Sequence, residues 1–249
     1  MKLKDKVSVV TGAASGFGRA IAEHFVREGA RVVVADLNGE GAEAVSKDIG
    51  ENAIAIRADV GVRADAEAMV AAASDAFGRL DIMVNNAGYT HTNQPLTEVD
   101  EETFDRVYAV NVKAIYLAAL AAVPLMRSQG GGVILNTAST AGLRPRPGLT
   151  WYNGSKGAAI TLTKSMAVEL APDKIRVNAI CPVIGVTGML EQFMGVPDSP
   201  EARAKFIATI PLGRMSEPDD IAAAAVYLAS DEAAMVTGVA LEVDGGRCI

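Results

Sequence analysis

The sequence has few cysteines and histidines and few aromatic residues. Its two cysteines, Cys181 and Cys248, are far apart and form no CxxC pair. This usage favours free thiols in a reducing compartment, so we expect a cytoplasmic protein. The two histidines, His24 and His91, have no cluster of ligand residues around them, and no metal site is expected. Because aromatic residues make up only 5% of the chain, small aliphatic residues must fill most of the core.

The chain also lacks any run of lysine or arginine, and its formal net charge is -7. An acidic chain without a basic stripe is not expected to bind nucleic acid or an anionic membrane surface. The N-terminal residues lead directly into an apolar strand pattern, so no signal peptide is expected. No stretch approaches the roughly 20 apolar residues of a membrane span. With 50% hydrophobic and 21% charged residues, the chain has the balance of a packed globular protein.

The 249 residues suit one large α/β domain spanning 1–249. Short β-branched runs alternate with longer helical patterns, which predicts βαβ units and a parallel sheet. The predicted strands cover residues 7–10, 31–35, 53–58, 81–84, 132–136, 175–180 and 240–243. The predicted helices lie near residues 18–28, 39–49, 63–77, 101–127, 150–170 and 218–228. One irregular interval, at about 183–211, is predicted to be a substrate lid.

A glycine-rich turn follows the first strand, where residues 11–18 read TGAASGFG. Small residues at such a turn let the backbone approach a pyrophosphate, whose charge is stabilised by amides at the next helix N-terminus. Asp36 closes the second strand, where a carboxylate accepts hydrogen bonds from ribose hydroxyls and repels a 2′-phosphate. The chain has Ser15 and Leu37 at positions where an Arg or Lys could bind such a phosphate, so NAD is favoured over NADP. The alternatives are a tight turn without a ligand and an ordinary turn or cap aspartate.

Two further strand ends carry polar or turn residues, Asp59-Val60 after the third strand and Asn85-Asn86-Ala87-Gly88 after the fourth. Ligands bind at the carboxyl ends of strands in open α/β sheets. Taken alone, each segment could also be a simple turn.

Tyr152 and Lys156 are four residues apart on a predicted helix and so share one face. A free tyrosine has a pKa of about 10, and a neighbouring ammonium lowers it by favouring the phenolate. Such a pair suits proton transfer to or from a substrate oxygen. The same spacing is common in helices and is usually structural.

Upstream of this pair, residues 134–142 read ILNTASTAG at the end of the fifth predicted strand. Together with the turn at residues 12–18, the Asn85–Gly88 segment and the Tyr152/Lys156 pair, this order of motifs resembles the classical subgroup of the short-chain dehydrogenase/reductase family. The resemblance covers essentially the whole chain. It implies a Rossmann-type, doubly wound sheet of seven mainly parallel strands with helices on both faces.

The resemblance also implies roles for individual residues. Ser139 would hydrogen-bond the substrate oxygen, Tyr152 would be the general acid/base, and Lys156 would bind the nicotinamide ribose and lower the pKa of Tyr152. Asn111 would hold a water that links Lys156 to solvent. The implied cofactor contacts are Gly12, Ser15, Phe17, Gly18, Asp36, Asp59, Val60, Asn86, Tyr152, Lys156, Ile184 and Thr187. The family usually has Pro-Gly where this chain has Pro182-Val183.

Residues 143–151 border the substrate pocket in this family. Arg144 and Arg146 lie between prolines, and we hypothesise that one of them binds an anionic group of the substrate. The alternative is a solvated arginine or one at a subunit interface. His91 could contact substrate or cap a loop, and Met189 could cover the pocket or pack a short helix.

The expected activity is the NAD(H)-dependent interconversion of a secondary alcohol, of polyol, sugar or hydroxy acid type, and its ketone. A 3-oxoacyl-thioester reductase is an alternative. Such enzymes usually use NADP and need a basic docking surface, so Asp36 and the net negative charge count against it. A non-catalytic NAD-binding sensor is another, against which the set of Asn111, Ser139, Tyr152 and Lys156 counts. The resemblance of residues 237–246 to the family's last strand and subunit contact implies a homotetramer.

Overall fold

Seven strands form one sheet in the computed structural model, which describes residues 1–249. The strands are β1 Val7–Thr11, β2 Arg31–Asp36, β3 Ala53–Arg57, β4 Ile82–Asn85, β5 Gly132–Thr137, β6 Ile175–Pro182 and β7 Ala240–Val243. Every pairing is parallel, and the strand order is β3-β2-β1-β4-β5-β6-β7. The Rossmann-type, doubly wound sheet predicted from the sequence is confirmed.

Nine α-helices connect or flank these strands. They are α1 Gly16–Arg27, α2 Gly39–Ile49, α3 Arg63–Phe77, α4 Glu101–Tyr108, α5 Ala114–Ser128, α6 Thr150–Leu170, α7 Leu190–Met194, α8 Pro200–Ile207 and α9 Pro218–Ala229. The strand order reverses between β1 and β4, and in open α/β sheets ligands bind outside the carboxyl ends of the strands at such a point.

The sheet is buried on both faces because successive side chains of a strand point to opposite sides. In β2, Val32 and Val34 pack into the apolar layer formed with α1, α2 and α9, whereas Val33 and Ala35 pack into the layer with α3, α5 and α6. Both layers consist mainly of Ala, Val, Ile, Leu and Met, as the scarcity of aromatic residues predicts.

The single long helix predicted over residues 101–127 is interrupted. A π-helical turn, Ala109–Lys113, separates α4 from α5. Such turns occur frequently at functional sites because they displace the helix by an inserted residue. The turn carries Asn111, whose side chain is buried.

By length and composition alone, the helical stretch Glu101–Ser128 would be able to cross a membrane, contrary to the expectation from the sequence. Half of its most apolar window is buried inside the protein, and Leu117, Ala118, Ala122 and Met126 of α5 pack against the sheet. A buried core helix passes the same test of length and composition, so the finding is weak evidence for a membrane span.

The interval predicted as a lid contains two short helices, α7 and α8, rather than a continuous loop. Its apolar residues form a separate cluster that includes Val183, Ile184, Leu190, Met194 and Ile210. The interval also contributes Met189 and Phe193 to the cleft described below, and its movement as a lid stays a prediction.

Candidate active site

A cleft of about 430 Å³ opens outside the carboxyl ends of the strands, at the reversal of strand order. Most residues predicted to bind cofactor or substrate line it. These are Gly12, Ser15, Phe17, Asp36, Asp59, Val60, Asn86, Ser139, Arg146, Tyr152, Lys156, Ile184, Thr187 and Met189. Four predicted residues do not line it, namely Gly18, His91, Asn111 and Arg144.

The turn between β1 and α1 can hold a pyrophosphate. Gly12 has a φ of 65°, and a Cβ built on it would lie 2.8 Å from the Cα of Ala87, so only glycine fits. Ser15 caps α1 without a side-chain hydrogen bond, and the first turn of the helix carries no acidic residue. The backbone amides of that turn are therefore available to an anion.

Gly18 does not line the cleft but packs against the turn between β1 and α1. A Cβ on this residue would clash with the main-chain oxygen of Gly12. The close approach of α1 to the turn thus requires glycine, which is the role of a third glycine in helix–strand packing.

Asp36 is held at the end of β2 by main-chain donors. Its Oδ2 accepts a 3.0 Å hydrogen bond from the amide of Ala14, and its Oδ1 accepts a 2.9 Å bond from the amide of Asn38. Each carboxylate oxygen has a further lone pair for a ribose hydroxyl. The residues of this end of the cleft therefore fit the adenosine ribose of a dinucleotide.

Two further residues at the strand ends have fixed positions. The carboxylate of Asp59 accepts a 2.9 Å hydrogen bond from the amide of Gly61 and lies 3.4 Å from the guanidinium of Arg106. The side chain of Asn86 donates to the main-chain oxygen of Thr11 at 3.0 Å and accepts from the hydroxyl of Thr137 at 3.2 Å. Both side chains therefore hold the rim of the cleft in place as well as line it.

Tyr152 and Lys156 lie on one face of α6, and both are at least 95% buried, with 5% and 4% of their surfaces exposed. Burial raises the pKa of Tyr152 to about 12, while the Ser139 hydroxyl and the Arg146 guanidinium act in the opposite direction. Burial lowers the pKa of Lys156 to about 8. The ammonium of Lys156 lies 5.7 Å from the centre of the Tyr152 ring and donates a 2.7 Å hydrogen bond to the main-chain oxygen of Thr137.

The causes of the pKa shift of Tyr152 change the role expected for Lys156. In this structure the groups that lower the pKa of Tyr152 are Ser139 and Arg146, and Lys156 is not among them. The hydroxyl of Ser139 also accepts a 3.1 Å hydrogen bond from the amide of Ala141, which fixes its position in the cleft.

Asn111 lies behind the cleft and connects three segments. Its Oδ1 accepts from the amide of Tyr89 at 2.9 Å, and its Nδ2 donates to the main-chain oxygen of Tyr89 at 2.8 Å and to the hydroxyl of Ser155 at 2.9 Å. A Cβ built on Gly88 would lie 3.7 Å from both Asn111 Oδ1 and Lys156 Nζ. Asn111 Oδ1 and Lys156 Nζ therefore both face Gly88, and a side chain there would be in ordinary contact with each of them.

The four residues predicted to contact substrate separate into two groups. Arg146 and Met189 line the cleft together with Phe193, whose ring meets that of Tyr152 edge-on at 5.2 Å between centres. His91 is buried, and its Nδ1 lies 2.9 Å from the main-chain oxygen of Thr92. Arg144 donates to the main-chain oxygen of Arg247 at 2.6 Å, so the structure does not bring His91 and Arg144 into the cleft.

Sequence reasoning gave no positioning role to three asparagines of the site. Asn153 is buried beside Tyr152 and donates a 2.8 Å hydrogen bond to the main-chain oxygen of Arg146. Below the cleft, Asn85 donates to Asn136 at 2.9 Å, and Asn136 donates to Thr163 at 2.9 Å, which connects β4, β5 and α6. Asparagine at a strand end is a weak signal in sequence because it also suits a turn.

Both cysteines are free thiols in the structure, as the sequence predicts. Near the C-terminus, Glu242, Asp244 and Cys248 bring possible metal ligands within 4.8 Å of one another, a grouping that the sequence did not suggest. Both carboxylate oxygens of Asp244 accept 2.8 Å hydrogen bonds, from the amides of Gly246 and Cys248. These contacts give Asp244 a structural role in the C-terminal turn.

Comparisons with known proteins match nearly the whole chain to one family. A family model described as enoyl-(acyl carrier protein) reductase matches residues 12–247. The chain is 51% identical to 4-formylbenzenesulfonate dehydrogenase of Comamonas testosteroni over 100% of both chains. It is 41% identical to 2-(R)-hydroxypropyl-CoM dehydrogenase of Xanthobacter autotrophicus, over 96% of this chain and 97% of that one.

Among solved structures, the chain is similar to 3-ketoacyl-(acyl-carrier-protein) reductase from Brucella melitensis, which was crystallised with NADH. The TM-score is 0.94 and the identity 47%, and the similarity covers 99% of this chain and 100% of that one.

Proposed function

Because the chain belongs to the classical short-chain dehydrogenase/reductase family, we propose that it interconverts a secondary alcohol and its ketone with NAD(H). The alcohol is of polyol, sugar or hydroxy acid type. The observation that carries the proposal is that Tyr152, Ser139 and Lys156 line one end of a cleft whose other end is lined by Asp36. The cleft thus combines proton-transfer groups with residues that can hold a dinucleotide, and an oxidoreduction of an alcohol needs both.

The cradle residues would hold NAD. Backbone amides in the turn before α1 would bind its pyrophosphate, Asp36 would accept hydrogen bonds from the adenosine ribose, and Ile184 and Thr187 would flank the nicotinamide. When bound, nicotinamide supplies the hydride acceptor or donor of the reaction.

Tyr152 handles the proton of the reacting oxygen. With its pKa raised to about 12 by burial, the phenol carries its proton at neutral pH and can donate it to a ketone oxygen. In alcohol oxidation the phenolate accepts the proton, so that direction is favoured at higher pH. Ser139 donates a hydrogen bond to the same oxygen, the charge of Arg146 favours the phenolate, and Lys156 would bind the nicotinamide ribose.

The positions of Asn111 and Lys156 support a proton relay. Asn111 Oδ1 and Lys156 Nζ both face Gly88, and a water bound between them would connect Lys156 to the loop after β4. The relay would return the proton between Tyr152 and solvent after each turnover.

NAD is proposed over NADP because of the charge at Asp36. A 2′-phosphate would lie against this carboxylate, and like charges at such a distance repel. The Brucella melitensis reductase, with 47% identity, was crystallised with NADH, which supports the same preference.

A 3-oxoacyl-thioester reductase is the second candidate, since the Brucella melitensis relative is named as a reductase of this type. The test for it is acetoacetyl-coenzyme A with NADH and with NADPH. Turnover of this thioester at a kcat/KM far above that of simple ketones would favour the second candidate.

The experiment that tests the main proposal follows NADH fluorescence with a panel of secondary alcohols, their ketones and aromatic aldehydes. The aldehydes are included because the relative with 51% identity is named for a formyl compound. Turnover that disappears in Tyr152→Phe supports the proposal. Binding of NADH without oxidation by any member of the panel would instead favour the non-catalytic sensor.

We also propose a homotetramer in the cytoplasm. Apolar side chains on α5 and α6 are exposed in the single chain, with 53% of Tyr116, 43% of Leu120 and 80% of Val168 accessible. Large exposed apolar groups on two helices that pack on the same face of the sheet suit an interface between subunits. Light scattering on the purified protein measures the mass and tests this proposal.

A further inference from the structure

Arg146 lines the cleft as a cation without an anionic partner. Its guanidinium forms no salt bridge, and none of its nitrogen atoms donates a hydrogen bond. Its carbon Cζ lies 5.1 Å from the centre of the Phe206 ring, within the range of a cation–π contact. An aromatic face orients a guanidinium and leaves its N–H groups, which lie in its plane, free for an acceptor.

The surroundings of Arg146 favour an incoming anion. Burial lowers the pKa of this guanidinium, and the nearby charge of Arg247 lowers it further. A half-buried cation next to a second cation is destabilised unless an anion neutralises it. A substrate carboxylate or sulfonate would supply that charge together with acceptors for two parallel N–H groups.

The position of Arg146 is fixed by its loop. Its main-chain oxygen accepts a 2.8 Å hydrogen bond from Asn153, the residue after Tyr152 in α6. The main-chain oxygen of Pro147 accepts a 3.1 Å bond from Asn93, and that of Gly148 accepts a 3.0 Å bond from the amide of Gln94. The loop is thus tied both to the helix with the proton-transfer tyrosine and to the segment after β4.

No carboxylate competes for Arg146 at this end of the cleft. The two acidic lining residues, Asp36 and Asp59, follow β2 and β3 and belong to the adenosine end. The reacting end is lined by Ser139, Tyr152 and Met189, with Phe193 against the tyrosine ring. The Arg146 guanidinium is close enough to Tyr152 for its charge to lower the pKa of the phenol, so an anion bound there lies at the reacting end of the cleft.

We propose that Arg146 binds a carboxylate or sulfonate of the substrate, so that the enzyme selects small anionic hydroxy or oxo compounds with an apolar body. The inference rests on the proposed oxidoreductase function. It assigns the anionic group to the guanidinium of Arg146, and the apolar body of the substrate to the wall formed by Met189 and Phe193. Arg144, two residues earlier, is turned toward the C-terminal residues and takes no part.

The test compares ketones of matched shape and different charge, 4-acetylbenzenesulfonate, 4-acetylbenzoate and the neutral 4-methylacetophenone, in wild type and Arg146→Met. We expect kcat/KM for both anions to fall about 10- to 100-fold in the variant, as for loss of a hydrogen-bonded charge. The neutral ketone should lose only a few-fold, because Arg146 also stabilises the Tyr152 phenolate. Arg146→Lys should recover part of the loss.

Arg144→Met is the matched control, since it removes an arginine from the same loop outside the cleft. It should keep the ratio of anionic to neutral kcat/KM. An equal loss on all three ketones in Arg146→Met, or a wild type without preference for the anions, would overturn the inference.

Calorimetry with benzenesulfonate separates this inference from the proposed function. If no ketone is turned over, the proposed function fails. Binding of benzenesulfonate that is lost in Arg146→Met but kept in Arg144→Met would still support the anion site, and binding unaffected by either variant would overturn it.

Discussion

The ammonium of Lys156 donates a 2.7 Å hydrogen bond to the main-chain oxygen of Thr137, and this bond joins α6 to the end of β5. Ser139 follows Thr137 by two residues, so the bond sets the distance between the strand end that carries the serine and the helix that carries Tyr152. The lysine is therefore a structural connection as well as a charge in the cleft.

Burial of this ammonium predicts a dependence of stability on pH. The pKa of Lys156 is lowered to about 8 from the ordinary value of 10.5. Between these values the unfolded chain binds more protons than the folded protein, so stability rises with pH across this interval. Relative to Lys156→Met, the free energy of unfolding of the wild type should increase by about 2 kcal/mol from about pH 7.5 to about pH 9.5.

Urea unfolding of both proteins at the two pH values measures this difference. Tyr152 and every other titrating group are present in both proteins, so their contributions cancel. A difference that stays constant or decreases with pH would show that the lysine is not neutralised more easily in the folded protein.

Removal of the Tyr152 hydroxyl should abolish turnover and keep cofactor binding. Tyr152→Phe retains the ring that packs against Phe193 and loses the group that transfers the proton. General acid/base catalysis contributes about 100- to 10,000-fold, so kcat/KM should fall by that factor. The Kd for NADH, followed by fluorescence, should change less than about threefold.

Tyr227→Phe is the control for this substitution, because Tyr227 lies on α9 outside the cleft and is 40% exposed. It should keep the wild-type kcat/KM. Full activity in Tyr152→Phe would refute the assigned proton transfer.

Loss of the Asp36 charge should weaken the preference for NAD. Asp36→Asn keeps an oxygen that can accept from the amide of Ala14 and removes the charge that repels a 2′-phosphate. Arg57 is paired with Asp36 in register on β3 and remains nearby as a cation. The ratio of kcat/KM for NADP to that for NAD should rise about 10- to 100-fold, as for removal of a close like charge.

Glu40→Gln serves as the control for charge at a distance. This residue follows Asp36 by four positions, is exposed on α2 and does not line the cleft. In Glu40→Gln the ratio of kcat/KM for NADP to that for NAD should equal the wild-type ratio. An unchanged ratio in Asp36→Asn would contradict the role given to the carboxylate.

Much of the fold could be predicted because its signals are local. Strands such as Val7–Thr11 are buried along their whole length, so they read as short apolar runs and their bounds differ from the prediction by one or two residues at most. Helices α2, α3 and α6 were predicted with the bounds observed. The π-helical turn at Ala109–Lys113 has no Gly or Pro to mark it, and the side chain of its Asn111 bonds to Tyr89 and Ser155, which are distant in sequence, so it could not be predicted.

The substrate end of the site depends on distant contacts and so was only partly predictable. Arg144 and Arg146 are equivalent in sequence, since both adjoin prolines in one loop. The structure separates them because the C-terminal residues fold back onto Arg144, whereas Asn153 holds the backbone of Arg146 beside the cleft. Neither contact has a signal in the loop sequence itself.

The space beside Gly88 allows a test of the proposed proton relay. In Gly88→Ala the added methyl would lie 3.7 Å from Asn111 Oδ1 and from Lys156 Nζ, an ordinary contact distance, so the fold should be retained. The methyl would narrow the gap between these two groups, in which the proposed relay has a bridging water. Proton return to solvent should then slow, and kcat should fall about tenfold with a larger solvent isotope effect.

Gly157→Ala is the matched control, because it adds a methyl to α6 next to Lys156, where the nearest atom is the main-chain oxygen of Gly142 at 3.8 Å. An alanine inside a helix is more stable than glycine by about 0.5–1 kcal/mol, so the melting temperature should rise slightly while kcat stays the same. A wild-type kcat and isotope effect in Gly88→Ala would mean that the proton does not pass through this space. Tyr152 would then have to exchange its proton by another route, directly with water in the cleft.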